Sequence, residues 1–105
     1  MEKRIAKRLL HSIELIYGDN DTFSPGWTRN ISRHGLLIHA EYQIFPINHE
    51  VKIILTIGNE PVSLQGVVCW NSEYTGLEAI PDKQLGMFIP NPPDQYINYI
   101  NSLNY

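Results

Sequence analysis

Two arginines near the start of the sequence have a spacing that could bind an anion. Arg4 and Arg8 form an RxxxR pattern, and residues four apart face the same way in a helix and in a strand. Paired guanidinium groups suit phosphate oxygens and the O6 and N7 edge of guanine. The same spacing is typical of a solvated basic surface, so this pattern alone leaves both interpretations open.

A second polar cluster begins after a further 21 residues and could hydrogen-bond the same kind of ligand. Asn30, Ser32 and Gly35 fit the pattern [D/N]xSxxG. In a strand, Asn30 and Ser32 share a face because side chains alternate with period 2. Gly35 would supply either a backbone conformation that other residues avoid or a bare surface for a ligand. A polar turn with local backbone hydrogen bonds is the alternative interpretation.

Four other residues are secondary candidates for ligand contact. Lys3 directly precedes the RxxxR pattern, and Arg29 and Arg33 flank the second cluster. Alternation along a regular strand would put Arg29 and Arg33 on the opposite face, together with Ile31, so we expect solvated charges there first and ligand contacts second. Trp70 could stack on a flat ligand, although packing in the core or at a rim is the more common role for a strand tryptophan.

The elements that must position these residues are mostly strands. Apolar residues alternate with polar ones in short segments that are separated by turn residues. We predict turns at 18–21, at Pro25-Gly26 and at 58–61, where Gly, Asn, Asp or Pro cluster. The predicted strands are 12–17, 27–32, 35–41, 51–57, 62–70 and 85–89.

A C-terminal helix is predicted over 94–104. Prolines end the strand region before it, and Asp94 can cap its first turn. Tyr96, Ile97, Ile100 and Leu103 recur at spacings of three and four, which places them on one helical face. Because no helices separate the strands, the order of elements favours an all-β fold, a small antiparallel barrel or sandwich that the helix plugs or flanks.

Length and composition limit the class of protein. The chain has 105 residues, the size of one domain, so we treat 1–105 as a single domain. No apolar run approaches the roughly 18 residues that cross a bilayer, and no signal-peptide core follows the basic start, so we expect a cytoplasmic protein without a membrane span. The single Cys69 excludes an internal disulfide, and we expect it to be a buried, inert thiol.

Charge argues against a long nucleic acid as the ligand. The net charge is −3, and domains that bind duplexes are usually strongly basic. Residues 1–33 carry six basic and four acidic groups, a net +2, whereas residues 34–105 carry two basic and seven acidic groups, a net −5. All four arginines lie in the first third, so the positive charge is local.

No pattern in the sequence indicates an enzyme or a metal site. The four histidines, His11, His34, His39 and His49, lack the HxxxH and HExxH spacings of zinc sites. The carboxylates are scattered, and GxSxG, P-loop and GxGxxG motifs do not occur. We therefore expect a binding protein that needs neither a metal nor a cofactor.

Taken together and in this order, the two motifs resemble those of the PilZ domain family. Arg4 and Arg8 match RxxxR, and Asn30, Ser32 and Gly35 match [D/N]xSxxG. Segments 65–70 and 85–88 also look like the closing strands of that family, so the resemblance covers essentially the whole chain. It implies a six-stranded antiparallel β-barrel at 12–90, the helix at 94–104, and a mobile arginine-bearing arm at 1–11.

The resemblance also implies a ligand, the bacterial second messenger cyclic di-GMP. The arm would bind guanine edges and phosphates through its two arginines, with Lys3, Arg33 and Trp70 as secondary contacts. The barrel would supply a fixed wall through the [D/N]xSxxG residues. With one domain in this sequence, we expect the signal to pass to an effector protein in trans, from a monomer or a weak homodimer.

Two other functions are alternatives. A PilZ-like adaptor could act through protein contact alone, for example in pilus or flagellar assembly, without binding the nucleotide. Relatives of that kind usually have degraded motifs, and both motifs are intact here. The third candidate, a small barrel for single-stranded nucleic acid, is disfavoured by the charge of −3 and by the lack of an exposed aromatic row. We therefore expect no DNA or RNA partner.

Overall fold

The structure is a computed structural model that describes residues 9–10, 12–40, 42–72 and 83–104. Seven strands and one helix follow one another along this part of the chain. They are β1 (Leu9–Leu10), β2 (Glu14–Asp19), β3 (Thr22–Ser32), β4 (Gly35–His39), β5 (Glu50–Ile57), β6 (Glu60–Asn71), β7 (Gln84–Phe88) and α1 (Asp94–Asn104).

Six of the strands close into an antiparallel barrel. The strand order is β1-β3-β2-β5-β6-β7-β4, and β4 pairs back onto β3, so β2 to β7 form a closed ring. Closure gives both edges of these strands a partner, which removes the exposed edges of an open sheet. The six-stranded barrel with its C-terminal helix confirms the predicted fold class.

The two-residue strand β1 changes the predicted division between arm and barrel. Leu9 pairs with Ile31 and Leu10 pairs with Asn30, on the edge of β3 that β2 also uses. The predicted arm spans 1–11, yet Leu9 and Leu10 belong to the sheet. The chain is therefore tied to the barrel directly after the RxxxR pattern.

The strand β3 pairs with β2 along its first half and with β4 along its second half. The turn predicted at Pro25-Gly26 was therefore wrong, since both residues lie inside β3. Pro25 is tolerated because β4 pairs only from Trp27 onward, which leaves one edge at Pro25 without a partner among the described strands. Gly26 permits a close approach, because a Cβ at this position would lie 2.5 Å from the carbonyl oxygen of His39.

The hairpin between β5 and β6 forms at the predicted turn 58–61. Gly58 and Asn59 are its central residues, with φ of 57° and 72°, and Ile57 pairs with Glu60 across it. Positive φ at both positions is the type I′ geometry, whose twist matches that of the flanking strands. Between β2 and β3, Asn20 adopts a φ of 51° in the tight turn that the sequence predicts at 18–21.

The core fills the barrel and includes one face of the helix. Inward-pointing side chains of the strands are fully or almost fully buried, including Leu15, Tyr17, Ile31, Leu36, Ile38, Val51, Ile53, Leu55, Val62, Leu64, Val68, Leu85 and Met87. Tyr96 and Ile100 of α1 belong to the same buried cluster, and Ile97 and Leu103 pack against it. Burial of one such aliphatic side chain contributes about 1.5–3 kcal/mol, so this cluster anchors the helix to the barrel.

The N-cap of the helix lies one residue earlier than predicted, because α1 already begins at Asp94. The carbonyl oxygen of Pro93 accepts hydrogen bonds from the backbone N–H groups of Tyr96 and Ile97, both at 3.0 Å. Pro93 therefore takes the N-cap position that the sequence assigns to Asp94. Asp94 lies in the first turn, where its carboxylate still interacts favourably with the helix dipole.

Candidate ligand-binding groove

A groove on the outer surface of the barrel brings together the second motif and the end of β6. It has a volume of about 270 Å³ and is formed by β3, β4, β6, β7 and the turn between β3 and β4. Its lining residues are Asn30, Ser32, His34, Gly35, Leu36, Leu37, Cys69, Trp70, Gly86, Met87 and Phe88. The structure thus places the three [D/N]xSxxG residues and Trp70 around one cavity.

A β-bulge in β3 sets the direction of the motif side chains. The register with β4 shifts between Thr28 and Asn30, so Arg29 is the extra residue. After the bulge, Ile31 is fully buried while Asn30 and Ser32 are half-buried on the groove side. The predicted shared face of Asn30 and Ser32 is present, but Arg29 is exposed. The expectation that Arg29 and Ile31 share one face was wrong, because the bulge interrupts the alternation of the strand.

The motif continues through a two-residue turn between β3 and β4. Ser32 pairs with Gly35 across Arg33 and His34. Neither central residue has a positive φ, so the turn is not of the I′ or II′ type that two-residue hairpins favour. Arg33 is exposed and is not part of the groove lining, whereas His34 is. The turn therefore depends on contacts from outside the hairpin.

Those contacts come from α1 and from the end of β7. The Tyr96 hydroxyl donates to the carbonyl oxygen of Ser32 at 2.6 Å and lies 3.4 Å from that of Gly35. Burial raises the pKa of Tyr96, so the hydroxyl keeps the proton that it donates. The backbone N–H of Ile89 donates to the carbonyl oxygen of His34 at 2.8 Å. The sequence identifies Tyr96 only as an apolar-face residue, and its role as a support of the motif comes from the structure.

Gly35 acts as a bare part of the groove wall. It does not adopt a positive φ, so the first of its two predicted roles, an unusual backbone conformation, is excluded. A Cβ at this position would lie 3.4 Å from the carbonyl oxygen of Met87 and 3.5 Å from Oγ of Ser32, both ordinary contacts. The backbone would accept a side chain here, and the lack of one leaves the wall open.

A second bulge shapes the wall formed by β6 and β7. The register shifts between Val68 and Trp70, so Cys69 is the extra residue. Cys69 is exposed, and its thiol donates to the carbonyl oxygen of Gly86 at 3.4 Å. The expectation of a buried thiol was wrong, because the bulge lets this side chain face outward. Trp70 is 40% exposed and lines the groove instead of lying in the core.

The groove offers hydrogen bonds and flat surfaces but little charge. Asn30 and Ser32 provide an amide and a hydroxyl, and Trp70 and Phe88 are 40% and 48% exposed. The described lining contains no Lys, Arg, Asp or Glu side chain. A wall of this kind can hydrogen-bond the edge of a base and stack on its face. Positive charge for a phosphate has to come from another part of the chain.

The predicted basic residues of the arm, Lys3, Arg4 and Arg8, lie outside the described residues. The first described residues, in β1, pair with Asn30 and Ile31 of the motif strand. The residues that follow RxxxR in the chain therefore lie beside the second motif.

A second, larger groove of about 540 Å³ lies on the outer faces of β2, β3 and β5. Ile16, Trp27 and Tyr42 in its lining are 40%, 41% and 67% exposed. The ring of Trp27 stacks on that of His39, with centroids 4.0 Å apart and 11° between the planes. The sequence interpretation missed this surface. The sequence did carry a signal for this surface. Ile16 and Trp27 occupy outward-facing strand positions, between buried residues, and such positions are ordinarily polar.

In the part of the chain that the structure describes, no group of three His, Cys, Asp or Glu side chains is arranged to hold a metal ion. No helix of that part is both long and apolar enough to cross a membrane.

Comparisons with known proteins agree with this architecture. The PilZ domain family model matches residues 2–103. Among solved structures, the chain is similar to the Bacillus subtilis inhibitor of motility (MotI/DgrA), with a TM-score of 0.73 and 13% identity over 99% of this chain and 53% of that one. It is also similar to the PilZ domain of CeSA from a cellulose-synthesizing bacterium, with a TM-score of 0.66 and 14% identity over 94% of this chain and 99% of that one. The search of curated proteins found no match.

These comparisons differ in what they establish. The chain spans about half the length of the motility inhibitor, and at 13% and 14% identity both structures show a shared fold alone. The family model, in contrast, extends over nearly the whole chain and includes the barrel, the motif turn and the helix. The chain belongs to the PilZ domain family.

Proposed function

We propose that the chain binds cyclic di-GMP in the groove beside β3 and passes the signal to a partner protein. PilZ domains are a family that binds this nucleotide, and they are typically non-catalytic. The observation that carries the proposal is the groove itself, which gathers Asn30, Ser32 and Gly35 beside Trp70.

The chemistry of the groove suits one guanine of the ligand. A guanine presents donors and acceptors at its edges and two flat faces. The Asn30 amide can donate and accept at such an edge, and the Ser32 hydroxyl can do the same. Stacking of a base on an aromatic ring contributes about 1–3 kcal/mol, and the exposed faces of Trp70 and Phe88 are available for it. Gly35 leaves the wall free of a side chain that would hold the base away.

The arm would complete the site with positive charge. The two phosphates of cyclic di-GMP require cationic donors, which the described lining lacks. Arg8 is bonded directly to Leu9 of β1, and β1 pairs with the motif strand at Asn30. Arg4 precedes Arg8 by four residues and can reach the same ligand. The volume of the groove lies slightly below the ~300–1,000 Å³ of typical ligand sites, as expected for a site that the arm completes.

Relay of the signal would follow from this closure. Binding would draw the arm onto the barrel, and a partner in trans would recognise the changed surface. Lys3 and Arg33 would be secondary contacts to the phosphates from the arm and from the motif turn. Ordering the arm costs part of the binding free energy, so the affinity is lower than the sum of the new contacts.

Titration calorimetry with cyclic di-GMP tests this proposal. We expect Arg4→Ala or Arg8→Ala to weaken binding by about 10–100-fold, because each loses one or two charge-assisted hydrogen bonds. Lys52→Ala is the matched control, since it removes a positive charge from an exposed position of β5 outside the groove. If neither calorimetry nor equilibrium dialysis detects binding to the parent protein, the proposal is wrong. If Lys52→Ala weakens binding of cyclic di-GMP equally, the loss of affinity reflects non-specific electrostatic attraction and not the RxxxR pattern.

An adaptor that acts through protein contact without the nucleotide is the second candidate. The larger groove favours it, because Ile16, Trp27 and Tyr42 expose apolar area on a face apart from the motif. Support for this function would be a partner that does not bind Trp27→Ala. The same partner would bind the parent and the Arg4→Ala/Arg8→Ala variant equally, with or without cyclic di-GMP. A partner whose binding changes with the nucleotide would support the first.

A further inference from the structure

We propose that His34 is a further contact to the phosphate of the bound nucleotide and that its protonation strengthens binding. This inference rests on the proposed function and adds a residue that neither motif includes. His34 lies between Ser32 and Gly35 in the motif turn, and its side chain lines the groove.

The two ring nitrogens of His34 have different surroundings. Nδ1 lies 3.3 Å from the carbonyl oxygen of Ile89. A carbonyl can only accept, so this contact favours the form in which Nδ1 carries the hydrogen. Among the described residues, Nε2 has no hydrogen-bond partner, which leaves it for a ligand. In the neutral ring Nε2 is an acceptor and repels a phosphate oxygen, whereas in the protonated ring it is a charged donor.

The ring is held in position on the groove wall. It stacks on Phe88 with centroids 6.2 Å apart and 24° between the planes, and its own carbonyl oxygen accepts a hydrogen bond from Ile89 at 2.8 Å. The backbone of His34 is thus fixed beside the end of β7, while its exposed ring lies against Phe88. A ring that already lies against the wall loses less conformational freedom when it binds, so more of the contact appears as affinity.

The charge of the groove makes this residue important. Within the described lining, His34 is the one side chain that can carry a positive charge. The other groups of the groove wall neither supply nor cancel such a charge: Cys69 lies on β6, Phe88 ends β7, and Tyr96 of α1 keeps its proton because burial raises its pKa. Arg33 supplies its proposed phosphate contact from outside this wall and stays charged throughout the pH range of the test. Arg33, the preceding residue, is exposed outside the lining.

The consequence is an affinity that rises as the pH falls. Imidazole side chains gain a proton between pH 8 and pH 5, whereas arginine and a phosphodiester keep their charges over that range. A charge-assisted hydrogen bond is about twice as strong as a neutral one. We expect the parent protein to bind cyclic di-GMP about five- to tenfold more tightly at pH 5.5 than at pH 8.0.

The test is calorimetric titration of cyclic di-GMP at pH 5.5, 6.5, 7.2 and 8.0, in two buffers with different ionisation enthalpies. Proton uptake on binding should appear in the parent protein and be absent from His34→Gln. His34→Gln keeps a polar side chain but cannot gain the proton, so its affinity should vary less than twofold with pH. His34→Lys should bind at every pH with an affinity near that of the parent at pH 5.5. His39→Gln, from the other groove, should behave as the parent does.

The outcomes separate this inference from the function on which it rests. Binding of equal strength at all four pH values in the parent overturns the role of His34 and leaves nucleotide binding intact. A pH dependence that persists in His34→Gln overturns it as well, because the proton is then taken up elsewhere. Absence of binding at every pH, in the parent and in His34→Lys, contradicts the proposed function itself.

Discussion

Replacement of Gly35 by alanine should abolish tight ligand binding and leave the barrel folded. Gly35 does not adopt a positive φ, so alanine fits its backbone without strain. The added Cβ would lie 3.4 Å from the carbonyl oxygen of Met87 and 3.5 Å from Oγ of Ser32, which are ordinary van der Waals contacts. Alanine also restricts the unfolded chain, which by itself stabilises the native state by about 0.4–1 kcal/mol.

The same methyl group would interfere with the ligand. Its position 3.5 Å from Oγ of Ser32 puts it on the groove side of the β3–β4 pair. A flat base lying against bare backbone at Gly35 would be held away by a distance comparable to a methyl group, and it would lose its contacts with the wall. We expect the dissociation constant for cyclic di-GMP to rise at least tenfold, which corresponds to about 1.4 kcal/mol.

Thermal denaturation and titration calorimetry of the same preparation measure the two effects. The melting temperature of Gly35→Ala should stay within a few degrees of the parent value, since 1 kcal/mol corresponds to about 4–8 °C in a domain of this size. Gly26→Ala is the matched control with the opposite expectation. Its Cβ would lie 2.5 Å from the backbone carbonyl oxygen of His39, which cannot move aside without distorting β4, so this variant should destabilise by about 1–3 kcal/mol while the folded fraction still binds.

Two results would refute this reasoning. If Gly35→Ala binds cyclic di-GMP with the affinity of the parent, the ligand does not lie against this wall. If Gly35→Ala loses as much stability as Gly26→Ala, the steric argument that alanine fits at position 35 is wrong, and any loss of binding then has no bearing on the groove.

Three further predictions concern the contacts that support the motif strand. Tyr96→Phe should lower the free energy of unfolding by about 1–2 kcal/mol, because a part-buried carbonyl loses its donor, whereas Tyr42→Phe, at an exposed position, should change little. Burial raises the pKa of Tyr96 above the usual 10.0, so above about pH 10 only the unfolded chain ionises this hydroxyl. The free energy of unfolding of the parent should therefore fall above that pH. An equal fall in Tyr96→Phe would contradict this cause. Thr28→Val should lower the free energy of unfolding by about 1–3 kcal/mol in urea denaturation, because Oγ1 of Thr28 accepts a hydrogen bond from the buried N–H of Ile13 at 2.8 Å. Thr56→Val, at an exposed position, is the control. A loss no larger than that of the control would show that this hydrogen bond is unimportant.

Regular alternation and turn chemistry made much of the fold predictable. The Gly58-Asn59 turn, most of the strands and the helix at 94–104 depend on short-range patterns that a sequence displays directly, whereas the count of six barrel strands was implied by the family resemblance. The turn predicted at Pro25-Gly26 was wrong because its outcome depends on long-range strand pairing and not on a short-range pattern. A proline inside a strand is acceptable only where one edge has no partner, and which edge is unpaired depends on where β4 ends along β3.

The shared face of the second-motif residues was predictable from the sequence, and the surroundings of that face were not. The period of a strand correctly put Asn30 and Ser32 on one face, but two bulges decided the positions of Arg29 and Cys69. A bulge inserts one residue without a sequence signature of its own, so alternation gives the wrong face for the bulged residue. For the same reason Cys69 is exposed in the groove although its sequence neighbours are apolar.

By itself, the sequence determined the two motif patterns, an antiparallel all-β fold with a C-terminal helix, and the local concentration of arginines in an acidic chain, because each depends on composition or on spacing along the chain. The choice of a barrel over a sandwich was implied by the family resemblance. Only the tertiary structure decided what surrounds the motif. The hydroxyl of Tyr96 meets the carbonyl oxygen of Ser32 across 64 positions of sequence, and strand pairing places Trp70 and Phe88 in the same groove as Asn30. Such contacts depend on how the barrel closes, and no pattern along one strand contains that information.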